Sequence, residues 1–119
     1  MTVKEWLNRG YRIDTEINSL LEEQSKVFLK ARGTVTNTYS ERINNRIDEL
    51  YSIKQEILTA ISQVQDPVLR ALLTERYIKF NTWEKIAHNM HYSYVHIVHT
   101  LHPKALKKIG EVIPLLNMT

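Results

Sequence analysis

Two rows of apolar residues spaced by seven constrain this chain more than any other feature. Trp6, Ile13, Leu20 and Val27 form the first, with Ile17 and Ala31 in a companion row. Ile43, Leu50, Ile57 and Val64 form the second, with Ile47 and Ile61 beside them. A spacing of seven returns side chains to one face of a helix after two turns. Each row therefore reads as the apolar stripe of a long helix packed side by side with a partner. The rows predict helices over about 3–32 and 41–65. Gly10 and Gln24 interrupt the first companion row, and Lys54 interrupts the second. Glycine costs about 1 kcal/mol in a helix interior, so Gly10 is expected to fray or bend the opening turns.

Residues 33–39 read as a polar linker. Gly33 suits a C-cap, and the hydroxyl side chains after it compete with helix for backbone hydrogen bonds. Thr38 and Glu41 have the spacing of a capping box, with Ser40 as the rival cap. Two heptad-like helices joined this way are expected to fold back as an antiparallel hairpin. Two helices alone bury a thin core, so self-association is expected, with a dimer favoured.

Asp66-Pro67 marks the next boundary, Asp66 as an N-cap and Pro67 in the first helical position. Val68, Leu69, Leu72, Leu73 and Ile78 follow at helical spacing, and that helix is expected to end near Lys79–Asn81. Thr82 suits the cap of a helix over Trp83–Met90, and Ser93 the cap of the next, reaching Leu101 or His102. Pro103 removes a helical hydrogen bond and clashes with the carbonyl of His99. The helix must kink there, or stop and restart with Pro103 in its first turn. Helix is expected again over Lys104–Val112. The predicted class is all-α: an N-terminal helical hairpin over 1–65, a helix-turn-helix bundle over 66–112, and a fraying tail over 113–119.

The chain has 119 residues and no cysteine. This excludes a disulfide-stapled module, a thiolate zinc site and a cysteine nucleophile. No apolar run reaches the roughly 18 residues of a membrane span, and the opening residues lack an apolar signal core. A cytoplasmic location and no membrane association are therefore expected. The formal net charge is +3, and it is unevenly placed. Residues 1–65 hold nine Lys/Arg and nine Asp/Glu, whereas residues 66–119 hold seven against four, plus all five histidines. The excess positive charge thus belongs to the C-terminal half, which biases that half toward an anionic partner.

Thr82 to Leu101 carries the functional signal. Ile86 and Met90 lie four apart, Ala87 is small enough for a close helix crossing, and Tyr92 sits in a short turn. Ile97 and Leu101 again lie four apart. This framework, with Thr82 at its head, describes a helix-turn-helix, with an ordinary helical hairpin as the plain alternative. His91 takes the turn position that often holds glycine. If the second helix enters the major groove, Tyr94, Val95, His96, Val98 and His99 are the base-reading candidates. Val95 is the one suited to a thymine methyl. Lys85, Ser93, Lys104, Lys107 and Lys108 are the phosphate-contact candidates. No lysine or arginine lies between Ser93 and Leu101, so the common bidentate arginine–guanine contact is not on offer. Modest affinity per subunit with strong salt dependence is expected.

The histidines His88, His91, His96, His99 and His102 include pairs three apart, a spacing that suits zinc. Without cysteine, and with Glu84 as the only nearby acid, no metal or other cofactor is expected. Histidines on a DNA-facing helix are the better reading, and mild acid would then strengthen binding. The chain has no glycine-rich phosphate loop and no His-Glu-x-x-His pattern, and its acid pairs Glu22/Glu23 and Asp48/Glu49 fall on polar helix faces. An enzyme is not expected. Trp6 and Trp83 read as core anchors.

The segment from Leu73 through Arg76-Tyr77-Ile78, Thr82-Trp83-Glu84-Lys85-Ile86-Ala87 and Met90-His91-Tyr92-Ser93 to Leu101–Leu106 resembles the C-terminal half of phage transcriptional regulators of the ArpU/RinA kind. It is similar, more distantly, to region 4 of bacterial sigma factors. Thr82, Ile86, Ala87, Ser93 and Ile97 fall on the matching framework positions. Two features depart from the pattern: the reader positions lack basic residues, and Pro103 stands where the phage proteins often carry glycine. The resemblance implies a sequence-specific double-stranded DNA-binding regulator of phage or prophage genes, late or packaging genes among them, acting in the host bacterial cell. Two alternatives are a sigma-like interaction module acting on host RNA polymerase and a small DNA-recognition subunit of a packaging terminase.

Overall fold

A computed structural model describes the backbone of residues 1–31 and 37–117 and the side chains of residues 1–27 and 39–113. The described residues are helical, in the order α1 (Val3–Asn8), α2 (Ile13–Ala31), α3 (Asn37–Ser62), α4 (Pro67–Tyr77), α5 (Trp83–Met90), α6 (Tyr94–His96), a π-helical stretch (Ile97–Leu101) and α7 (His102–Asn117). The expected C-cap at Gly33 lies outside the described residues, as do residues 34–36 of the linker. The capping roles expected for Thr38 and Ser40 do not hold, because α3 already begins at Asn37 and both residues sit inside it.

The chain divides into two compact units, residues 12–54 and residues 1–11 with 55–119. This is not the division the Asp66-Pro67 boundary suggests. The apolar row of α3 is interrupted at Lys54, and the units part immediately after that residue. The expected single helix over 3–32 is likewise broken. The chain turns between α1 and α2, with Arg12 in the left-handed region at φ 62°. Gly10 lies so close to its neighbours that an added Cβ would meet Ile57 at 3.0 Å and Phe80 at 3.6 Å. Trp6 and Leu7 are therefore buried in the larger unit, while Ile13 and Ile17 belong to the smaller one. One seven-residue row serves two cores.

The smaller unit is an antiparallel pair made by α2 and the first half of α3. Its core is Ile13, Ile17, Ile43, Ile47 and Leu50, with Leu20 and Ile53 packed at its edge. Exposed polar groups stitch the two helices: Lys54 Nζ lies 2.8 Å from Asp14 Oδ1, and Arg46 Nε lies 2.8 Å from Glu16 Oε1. Gln24 donates to Asn44 at 2.9 Å.

The larger unit is built on a fully buried set that includes Ile57, Leu69, Leu72, Leu73, Ile86, Ile97 and Ile109. Asp66 accepts hydrogen bonds from the Val68 and Leu69 amides at 2.9 and 3.4 Å and starts α4 ahead of Pro67. Arg70 holds the α3–α4 junction by donating to the carbonyls of Val64 and Gln65. Helix α1 packs against α7, where a Cβ on Gly110 would come within 3.1 Å of Val3.

The C-terminal helical run does not stop at Pro103. The amide of His102 bonds to the carbonyl of Ile97, five residues back, so one wide turn precedes the proline. Widening the turn moves the carbonyl ladder away from the ring that would otherwise strike it. Helix then runs to Asn117, beyond the expected start of the tail at 113.

Candidate functional site

Helices α5 and α6 meet through a short turn whose geometry follows from local side-chain chemistry. Thr82 Oγ1 accepts from the Lys85 amide at 3.2 Å and opens α5. His91 closes it in the left-handed conformation, φ 60° and ψ 37°, with its amide on the carbonyls of Ala87 and His88. The Tyr92 amide returns to the Ala87 carbonyl at 3.1 Å. Ser93 Oγ then accepts from the His96 amide at 3.1 Å and starts the following helix. Histidine tolerates the left-handed region better than most side chains, so this turn forms without glycine.

Below the turn, Ile86, Ala87 and Ile97 are buried, and Met90 and Leu101 are half-buried. Tyr92 does not join them. It is 39 % exposed and lies against His96, ring centroids 5.3 Å apart. Above the turn, Tyr94 is 45 % and Val95 63 % exposed. His99 is exposed too, while His96 and Val98 are half-buried. Of the side chains expected to face a ligand, Tyr94, Val95 and His99 are thus exposed and His96 and Val98 only partly so. Lys85 and Ser93 are exposed at the starts of the two helices.

The three lysines of α7 are exposed, and their i, i+3, i+4 spacing sets them on one face of the helix. Lys104 and Lys108 line a cleft of about 520 Å3 with Gln63, Gln65, Asp66 and Glu111, so acids share their side of the helix. Lys107 is exposed but does not line it.

His102 is the clearest departure from the sequence reading, which grouped it with the other histidines. It is buried, its Nε2 2.7 Å from the Tyr77 hydroxyl with one proton between them. Its ring lies 4.5 Å from that of Trp83, whose other contact is the Arg76 guanidinium, 4.3 Å from the indole centroid. Arg76 also donates to the Asn81 carbonyl at 3.0 Å. Burial, with help from the charges of Lys4 and Arg76, holds the His102 imidazole down to about 4. Burial likewise pushes the Tyr77 phenol up to about 12, against the opposing pull of Arg76. Both groups are therefore neutral at neutral pH. The cluster ties the end of α4, the start of α5 and the start of α7 into one frame under the exposed segment. Residue spacing alone gave no signal that His102 would turn inward. In a straight helix a residue five positions after Ile97 points well away from it, and only the wide turn carries His102 inward.

Glu75 is a second positioning residue that spacing did not reveal. Its carboxylate accepts from the side-chain amides of Asn81 and of Asn89, the latter at 3.4 Å on α5. Lys79 approaches its other oxygen at 3.4 Å. Burial pushes the carboxyl up, but the hydrogen bonds from Asn81 and Asn89 and the Lys79 charge outweigh it and leave it below its usual value.

Among the described residues, no group of three or more His, Asp or Glu is placed to hold a metal ion. No helix among them is long and apolar enough to cross a membrane. The chain matches no protein-family model, no curated protein and no solved structure.

Proposed function

We propose that the chain is a sequence-specific double-stranded DNA-binding protein whose α5–turn–α6 segment is a helix-turn-helix. One observation carries the reading. Two separately capped helices meet at a left-handed turn over a shared Ile86–Ala87–Ile97 core, which leaves Tyr94, Val95 and His99 exposed at the start of the second. That is the arrangement in which a second helix presents its first residues to base edges in the major groove. Lys85 and Ser93 flank the segment as phosphate partners. The resemblance of residues 73–106 to ArpU/RinA-like phage regulators and to sigma region 4 supports assigning the protein to transcription control of phage or prophage genes. The thin core of the α2–α3 pair supports placing self-association there, as a dimer.

Binding of the full chain to duplex DNA over a salt series tests the proposal. Affinity should fall linearly in logarithmic terms with salt, as counterions are released from each neutralised phosphate. Replacing both Tyr94 and His99 by alanine should weaken sequence preference while the helical content stays unchanged. Duplex binding that is absent, or indifferent to this pair of substitutions, overturns the reading. A second reading is favoured by one feature, the uncharged and partly apolar outer face of Tyr92, Tyr94 and Val95. It is a sigma-like module that docks on RNA polymerase. Polymerase binding that persists without DNA and is lost on Tyr94→Ala would select it.

A further inference from the structure

The exposed face of α6 has a chemistry of its own. From Asn89 to Pro103 the sequence contains no Lys, Arg, Asp or Glu. The most exposed large hydrophobic of the segment is Val95, at 63 %, with Tyr94 beside it at 45 %. Val95 contributes nothing to the core, since the buried residue of this turn is Ile97. A β-branched hydrocarbon left in water at the outermost point of a helix start has no stabilising role that the fold reveals. Guanine in the major groove offers two acceptors, and the residue types that take both at once, arginine and lysine, are missing from this face. Thymine offers a single acceptor and a methyl group, and a short apolar side chain is what meets that methyl. Histidine and tyrosine supply single hydrogen bonds, suited to the remaining acceptor on thymine or to N7 of a purine.

We infer that Val95 is a specificity-determining residue that reads a thymine methyl, so the duplex sites this chain selects are A·T-based at the position Val95 faces. The inference rests on the helix-turn-helix reading and adds a base preference to it. The ring of Tyr92 against His96 holds one side of the segment in place.

The test begins with selection of bound fragments from a random-sequence duplex pool by the full chain. The selected site is then resynthesised with deoxyuridine in place of thymidine, which removes only methyl groups. Affinity is expected to fall about fourfold for the contacted methyl, the effect of leaving one buried carbon group unburied. Val95→Ser should bind the thymidine and deoxyuridine duplexes equally, and Val95→Thr, which keeps a methyl, should restore the difference. Both substitutions are at an exposed position and leave the core untouched. A selected site bound equally well with thymidine and deoxyuridine by the unaltered chain overturns the inference while DNA binding stands. A pool from which nothing is enriched, with no salt-dependent duplex binding, overturns both the inference and the function it rests on.

Discussion

The two units of this molecule achieve helix packing by different means. In residues 12–54 a short apolar core of isoleucine and leucine is flanked by exposed ion pairs, Lys54 with Asp14 and Arg46 with Glu16. In the unit made by 1–11 and 55–119 the helices are started by dedicated side-chain caps at Asp66, Thr82 and Ser93. They are braced by buried polar groups at Tyr77 and His102. Exposed ion pairs each contribute little, whereas caps and satisfied buried hydrogen bonds fix particular backbone positions. The caps and buried bonds of the larger unit fix where one short helical segment projects.

That contrast is broken or sharpened by four measurements. The largest effect is expected from Leu73→Ala in the larger core, about 4 kcal/mol, against about 2–3 kcal/mol for Leu50→Ala in the helix pair, which relaxes more easily around a void. Denaturant midpoints with an unchanged slope compare the two, and equal costs would erase the distinction. Next is Tyr77→Phe, which leaves His102 Nε2 without its partner and should cost about 1–3 kcal/mol. Duplex affinity should fall with it, because the frame under α6 loosens.

The same pair predicts a pH dependence. The folded-state value of His102 is lowered from 6.5 to about 4, chiefly by burial. The neutral form is favoured in the fold, so its contribution is complete above 6.5 and is lost as pH falls from there toward about 4. With partial solvent screening the loss should be about 1–2 kcal/mol, read from unfolding midpoints on either side of that window. His102→Leu should flatten this part of the profile, and an unchanged profile would show that His102 is not its source. Smallest is the Asp14–Lys54 pair, whose coupling in a double-mutant cycle should be about 0.2–1 kcal/mol and should shrink with salt. A coupling beyond that range, or one that ignores salt, would make the helix pair as rigidly specified as its neighbour.

Local chemistry was legible in the sequence, and long-range geometry was not. Asp66, Thr82 and Ser93 were readable as caps because a cap needs only one side-chain oxygen and the amides just after it. His91 was readable as the turn residue because its conformation is set within α5. The two long apolar rows revealed a joined helix pair, but not that each row would be shared between two cores. That division follows from Gly10, whose missing side chain lets α1 close on Ile57, and from Lys54, where the stripe of α3 lapses. Lys54 carried a usable signal in the sequence as the one charged residue in its row. The inward turn of His102 had no such signal, because it depends on the wide helical turn over Ile97–Leu101.

The most direct test of the central claim is amide NMR of the full chain titrated with duplex DNA. The shifts should concentrate in residues 82–99, with Tyr94, Val95 and His99 most affected. Amides of the helix pair, such as Ile17 and Ile47, should stay in place. Shifts concentrated in residues 12–54, or an unchanged spectrum at saturating duplex, would contradict the assignment of a reading surface to α6.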